Sequence, residues 1–570
     1  MLEDTKNFFG QFARELLDPF GIMTSCTEVQ AAWWRHPDGL VDQWTELAKE
    51  FADLQDLAWK RAWGKEVADT FPAVRYDERF QESIWTEHPY YDLLKEHYLA
   101  YTRWLEDAIE KTPDADVSPK TRRKALFWTR QVLNALSPSN FFWTNPHAIY
   151  MSLASSGASL LDGWLNLASD LGERDVSMVN DGPFRVGGNL ANTPGQVVFR
   201  NRLLELIQYT PTTSEVRAIP IVIIAPWINK YYILDLNPEK SLVRYLVSQG
   251  FTVFITSWKN PNSEMRDTTL DDYMLEGALK SVEVAREITR APQVHAVGYC
   301  IGGTILAALM AWLNRTPKAK EGLPIAHATL FTALVDFTAP GDIDVFIDEA
   351  SVAYLEKKME SQGYLDGADM TWAFRLLRSN SLIWHYVVHN YLYGEEPPQF
   401  DVLYWNTDST RLPAAMHAFY LRELYLKNRL VEPDGLILGK RPLDVRRIKE
   451  PLYIIGTEQD HIAPWKETFK LCQLVSGPVR YVLATSGHIL GIVNPPVTPP
   501  KRRYWAGGAT GHTDPEAWRE GLHEKKVGSW WEDWVAWLNQ YCGPSTNPPT
   551  MGSKKHPPLA PAPGVYVLEK

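Results

Sequence analysis

Apolar residues recur through the first 180 positions at steps of three and four, the period of one α-helix face. Trp44, Leu47, Phe51, Leu54, Ala58 and Ala62 form one such stripe. Leu93, Leu94, Tyr98, Tyr101 and Leu105 form a second, within a helix predicted over 90–108. Ser118-Pro119 opens a third helix, since serine caps and proline is tolerated in a first turn. Asn145-Pro146 opens a fourth, carrying Leu153, Leu160, Leu161, Trp164 and Leu167. No strand pattern interrupts this region, so residues 1–185 are read as a helical N-terminal domain. Its stripes are expected to form a core, with some tryptophans left for a partner or another apolar surface.

From about residue 196 the pattern changes. Continuous apolar runs predict buried strands at 219–225, 252–257, 294–297, 326–334, 452–456 and 479–484. Helical stretches separate them, among them 241–249 with Gly250 as its C-cap, 270–288 and 464–475. Strands alternating with helices predict a mostly parallel sheet covered on both faces. The alternation lapses over about 336–430, a stretch rich in Trp and Tyr, which is expected to be a helical cap inserted into one α/β domain spanning 186–570. Ser529-Trp530-Trp531 opens a short aromatic helix, and the proline-rich tail beyond Gly543 is expected to be irregular.

Within this pattern one stretch carries chemistry. The run Val294–Val297 stops at Gly298-Tyr299-Cys300-Ile301-Gly302-Gly303, and an apolar helical segment follows at once. Strand, sharp turn and helix with a thiol at the apex form a nucleophile elbow, and glycines flank it because the turn is strained and its neighbours are close. A nucleophile needs a base and a group to orient that base. In the α/β-hydrolase order the acid follows a late strand and the histidine comes after the next one. Asp460 and His488 occupy those places, while Asp336 competes for the acid role. The Ile301 N–H, at the start of the next helix, is the expected oxyanion donor. Ile228, in the loop after the first strand, is the expected second donor, and its neighbour Asn229 is assigned to the substrate. A cysteine favours thioester exchange, because an acyl-cysteine retains the energy of the thioester consumed. This points to acyl transfer without excluding a cysteine hydrolase.

Composition narrows the reading. The chain has 570 residues, a net charge of −11 and no basic stripe, which gives no support to a nucleic-acid partner. Four scattered cysteines, Cys26, Cys300, Cys472 and Cys542, show no metal-ligand spacing, so no metal and no cofactor are expected and a reduced, cytoplasmic setting is the simplest reading. No secretory signal and no membrane span are expected.

The elbow, together with Trp227-Ile228-Asn229-Lys230-Tyr231-Tyr232-Ile233-Leu234-Asp235-Leu236, Ser257-Trp258-Lys259-Asn260-Pro261, Gln459-Asp460-His461 and Ser486-Gly487-His488-Ile489, resembles the polyhydroxyalkanoate synthases, from about residue 75 onwards. The single-subunit, class I-like type is the one it looks like. The resemblance implies an α/β-hydrolase fold and polymerisation of (R)-3-hydroxyacyl-CoA, CoA being a substrate moiety and product. Cys300 would carry the chain, His488 would deprotonate it, and Asp460 would orient His488 or activate the incoming hydroxyl. It also implies a homodimer associated with polymer granules, with granule-coat proteins as further partners and the N-terminal domain serving granule association and dimer stability. Leu490, two residues after His488, departs from the family pattern at a position tied to substrate preference, so it is assigned to substrate binding and monomer length stays open. The remainder leans toward short monomers. A cysteine esterase, thioesterase or polyester depolymerase is the alternative activity, and a non-catalytic granule scaffold is a third reading.

Overall fold

The computed structural model describes residues 18–63, 65, 77–173, 175–315, 322–522 and 524–570. Parts of the expected N-terminal domain, 1–17 and 66–76, lie outside them. The chain divides into two compact units. One takes the described residues up to Gly182 together with Trp372–Phe400; the other takes Pro183–Thr371 with Asp401–Lys570.

The first unit is helical. Pro37–Ala62, Pro89–Glu110 and Pro119–Ala135 each start on a proline, whose fixed φ suits a first turn and whose missing N–H is no loss there. Ser118 caps the third by accepting from Thr121 N at 3.1 Å. The expected fourth helix is two, Pro146–Ala154 and Ala158–Glu173, because Ser156 and Gly157 turn to φ 54° and 87° between them. Its apolar stripe also faces outward, with Leu153 76%, Leu161 62% and Trp164 64% exposed. The small face packs instead. A Cβ on Gly163 would lie 2.1 Å from the Tyr391 carbonyl oxygen, and Asp170 accepts from the Tyr391 hydroxyl at 2.6 Å.

The second unit is built on one eleven-stranded sheet. In chain order its strands are β1 Gly195–Arg200, β2 Leu204–Tyr209, β3 Ile221–Ile224, β4 Val253–Trp258, β5 Val294–Tyr299, β6 Ile325–Phe331, β7 Leu452–Thr457, β8 Val479–Ala484, β9 Arg503–Gly508, β10 Lys526–Val527 and β11 Ala560–Pro561. The spatial order is β10-β9-β8-β7-β6-β5-β3-β4-β2-β1-β11. The six strands from β8 to β4 are parallel and carry the apolar runs read from the sequence. The edges are antiparallel, and the sequence reading did not anticipate them. The tail is tied rather than loose, since β11 pairs with β1 and Ser545–Thr546 pairs with Val216–Arg217.

Two apolar layers cover the sheet, one around the helix Ile301–Leu313 and one around the aromatic helix Trp530–Tyr541. The predicted helix over 270–288 begins at a Thr269–Asp272 capping box and widens into a π-helical turn at Tyr273–Leu279 before Lys280–Thr289. The stretch expected at 464–475 forms two short helices, Trp465–Phe469 and Leu471–Leu474. Because the chain leaves β3 for β4 on one side and returns to β5 on the other, the carboxyl ends of β3 and β5 form a switch point. Such points are where open α/β sheets place their ligands. Among the described residues no helix is long and apolar enough to cross a membrane.

Candidate active site

Cys300 leaves β5 at φ 52° and ψ −124°, a conformation that non-glycine residues rarely adopt and that costs of order 1–3 kcal/mol. Its surroundings hold it there. Cys300 N donates to Phe331 O on β6 at 2.9 Å, and the Cys300 carbonyl accepts from Gly303 N at 2.8 Å and Thr304 N at 3.2 Å. The three glycines are demanded by contact. A Cβ on Gly298 would lie 2.5 Å from Gly303 Cα, one on Gly302 2.3 Å from Ile224 O, and one on Gly303 2.4 Å from Ala333 Cβ.

Asp460 and His488 come from the ends of β7 and β8, and the parallel register, Thr457 opposite Ala484, brings their loops together. His488 Nδ1 donates to Asp460 Oδ2 at 2.7 Å. The other carboxylate oxygen accepts from Ile462 N at 2.9 Å and Ala463 N at 2.8 Å, so the acid is fixed from behind. Both side chains are buried. Burial disfavours a charged imidazole, but the Asp460 carboxylate, with Cys300 and hydrogen bonds to both, outweighs it and pushes His488 up to about 10. Cys300 and the His488 imidazole are close enough to act on each other electrostatically. Asp336, the competing acid, is engaged elsewhere, accepting from Thr338 and Asn428 with Lys470 Nζ 3.7 Å away.

The histidine loop is clamped by residues that the sequence marked only as aromatic. The indole N–H groups of Trp530 and Trp531 donate to Gly491 O at 2.8 Å and Ile492 O at 2.9 Å, and Ser529 Oγ donates to Asn494 O. On the other side the Tyr299 ring stacks on His488 at 5.7 Å, and its hydroxyl donates to His488 O at 3.2 Å.

Ile301 opens the helix Ile301–Leu313, where a first-turn N–H has no intrahelical acceptor. Ile228 lies in the loop after β3, the strand whose Ile224 pairs with Gly298. That loop is gripped along its length. Thr410 Oγ1 donates to Trp227 O at 2.6 Å, Trp405 Nε1 to Lys230 O at 2.7 Å, and Asn229 forms a bridge with Ser409. The Asn229 amide also reaches Asn406 O at 3.5 Å. Lys230, buried, donates to the carbonyls of Val567 at 2.7 Å and Glu569 at 2.6 Å. Leu490 lies outward, 37% exposed.

An apolar cleft beside the elbow is lined by Trp227, Ile301, Thr304, Ile305, Tyr420 and Leu424, among others. Tyr420 and the neighbouring Tyr425 meet ring edge to ring face, with centroids 5.3 Å apart. Burial raises both phenols, and nearness to Cys300 adds to it. Aromatic richness marked the 336–430 segment, but nothing in its spacing distinguished these two rings.

An elbow cysteine at the carboxyl end of a central parallel strand, with an acid and a histidine supplied in order by the next loops, defines an α/β-hydrolase-fold protein. Residues 221–495 match the α/β-hydrolase fold family, and residues 76–246 match the family described as poly-beta-hydroxybutyrate polymerase (PhaC) N-terminus. The chain is 42% identical to a poly(3-hydroxyalkanoate) polymerase of Methylorubrum extorquens over 95% of its own length and 89% of that protein. It is 40% identical to the poly(3-hydroxyalkanoate) polymerase subunit PhaC of Rhizobium meliloti strain 1021, covering 91% of this chain and 84% of that one. It is also 40% identical to the subunit PhaC of Cupriavidus necator, covering 87% and 83%. The chain belongs to the poly(3-hydroxyalkanoate) polymerase family.

Proposed function

We propose that this enzyme is an acyltransferase that polymerises (R)-3-hydroxyacyl-CoA, most readily the short 3-hydroxybutyryl thioester, into polyester with release of CoA. The observation that carries the reading is a strained thiol beside a carboxylate-supported histidine, in a chain whose relatives over most of its length are poly(3-hydroxyalkanoate) polymerases. The imidazole of His488 takes the Cys300 proton, and the thiolate attacks the thioester carbon. The developing oxyanion is met by the N–H of Ile301 and, in this reading, of Ile228. The CoA thiolate leaves with the proton held on His488, and the acyl group remains on Cys300. The 3-hydroxyl of an incoming acyl-CoA then attacks the thioester carbonyl on Cys300, losing its proton to His488 or Asp460. The C–S bond breaks and Cys300 leaves as a thiolate, with the chain one ester longer. Its renewed attack on the CoA thioester of that chain returns the chain to Cys300 and releases CoA. Asn229 and Leu490 are assigned to the acyl-CoA side of the site.

The outward stripe of Leu153, Leu161 and Trp164 supports association of the helical unit with a polyester granule surface, since burying such a stripe against polymer removes apolar area from water. We assign the chain to a cytoplasmic, homodimeric, granule-associated state on that basis and on its family, with granule-coat proteins as further partners.

Product analysis with three-, four- and eight-carbon hydroxyacyl-CoAs tests the reaction. Insoluble polyester with equimolar CoA release is expected, greatest for the four-carbon substrate. Stoichiometric free hydroxy acid without polymer would make the enzyme a cysteine hydrolase. Undiminished CoA release by Cys300→Ala would remove the covalent step.

A further inference from the structure

The proposed reaction leaves open what holds the CoA. β9 runs antiparallel to β8 with Tyr504 opposite Ala484, and Thr485 N donates to Arg503 O at 3.0 Å while Arg503 N donates to Thr485 Oγ1 at 3.2 Å. The run Lys501-Arg502-Arg503 therefore enters the sheet where β8 leaves it, at the start of the short loop that ends in His488. At most about 10 Å of extended chain separates Thr485 from His488. A fourth cation arrives from the next segment. Lys525 Nζ lies 3.8 Å from Glu458 Oε2, just beyond β7 and two residues before Asp460, and 3.9 Å from the centre of the Trp505 ring.

Lys501 and Arg503 are exposed and Arg502 is half-buried. None of the three pairs with a carboxylate among the described residues, in a chain that has 69 acidic residues against 58 Lys and Arg. The fold uses only their backbones, Arg502 through its carbonyl to Gly528 N and Arg503 through the bonds to Thr485. Three adjacent unneutralised cations repel one another, and a polyanion relieves that cost.

We infer that Lys501, Arg502 and Arg503, with Lys525 alongside, form the subsite for the phosphates of CoA. The inference rests on the acyl-CoA reading above. The pantetheine arm sets these phosphates apart from the thioester, which places them at the rim of the site and not at the elbow. Guanidinium groups suit them through paired N–H donors, and Lys501 adds a point charge.

The test compares 3-hydroxybutyryl-CoA with 3-hydroxybutyryl-pantetheine, which lacks every phosphate, in the full-length enzyme and in a Lys501→Ala/Arg502→Ala/Arg503→Ala variant. The variant is expected to lose about ten- to a hundred-fold in kcat/KM for the CoA thioester, mainly in KM, through the loss of charge-assisted bonds. The loss should be confined to the CoA thioester and shrink as salt is raised. Adenosine 3',5'-bisphosphate should compete with the CoA thioester in the parent enzyme and lose potency in the variant, and Arg503→Lys should recover part of it. Equal losses on both substrates, or none on either, would overturn the subsite. So would unchanged CoA kinetics with lost binding to anionic phospholipid vesicles, which would assign the patch to a lipid surface. A parent enzyme that turns over neither thioester would overturn the polymerase reading, and the subsite with it.

Discussion

Asp460 accepts from His488 Nδ1 at 2.7 Å through one oxygen, while its other oxygen is held by two backbone N–H groups. The carboxylate is thereby fixed as an acceptor facing the imidazole, and it is the largest influence raising His488 against burial. Asp460→Asn should lower the His488 pKa well below its value of about 10. The pH profile of Cys300 alkylation by iodoacetamide reads that change. Turnover should fall by about 10²–10⁴-fold, the range over which a positioned acid–base pair acts. Single-turnover acylation separates the two roles open to Asp460. A loss in acylation marks it as the orienting group, whereas normal acylation with failed elongation marks it as the group that activates the hydroxyl.

The elbow glycines predict a graded set of failures. Gly303→Ala puts a methyl group 2.4 Å from the Ala333 Cβ, an overpacking that costs about 1–3 kcal/mol. Ala333→Gly in the same chain should recover part of that loss in urea denaturation. Gly302→Ala should have no such remedy, because its clash is with the Ile224 carbonyl oxygen, which is backbone. Equal recovery in both cases would show that the elbow relaxes as a whole.

What could be read from the sequence follows from how local each feature is. Gly298, Cys300, Gly302 and Gly303 were legible because a strained turn excludes Cβ atoms at fixed offsets, and the contacts at these positions are of that kind. The parallel strands were legible because strands buried on both faces are apolar throughout. β1, β2 and β9 were not: Arg200, Glu205, Arg503 and paired glycines interrupt them, and their pairing depends on distant partners. The outward stripe of Ala158–Glu173 misled because periodicity reports a face without saying what covers it; Gly163 and Asp170 on the opposite face were the informative residues. The hold of Trp530 and Trp531 on the histidine loop joins residues some forty positions apart, and no spacing rule reaches that far.

Lys230 ties the loop after β3 to the tail through the carbonyls of Val567 and Glu569, with Asp408 Oδ1 at 3.6 Å. Lys230→Met keeps much of the stem but leaves those buried acceptors without their donor, a loss of about 1–3 kcal/mol. If the loop supplies an oxyanion donor, kcat should fall about ten-fold or more while the rate of Cys300 alkylation, which forms no oxyanion, is unchanged. A parallel fall in both rates would indicate general loosening of the site.

Three buried histidines outside the site make stability depend on acid. His327 Nε2 donates to Tyr541 O at 3.2 Å, so its Nδ1 is the acceptor for His295 Nδ1–H. His295 Nε2 in turn accepts from the Thr329 hydroxyl at 2.9 Å, whose oxygen accepts from Trp534 Nε1 at 2.9 Å. Every ring nitrogen of His295 and His327 is used, and no position remains there for an added proton. Burial lowers His327 and His417 to about 4 and His295 well below its ordinary value, with the His327 neighbour adding to the last. At these three positions the unfolded chain takes up protons near pH 6.5 and the folded one does not, so their contribution to stability is complete above that pH and is lost as the pH falls toward 4. Each histidine contributes a slope of about 1 kcal/mol per pH unit in that window. The urea midpoint should therefore fall between pH 7 and pH 5, and His417→Leu should make the fall shallower. The same slope in parent and variant would show that His417 charges without cost in the folded protein.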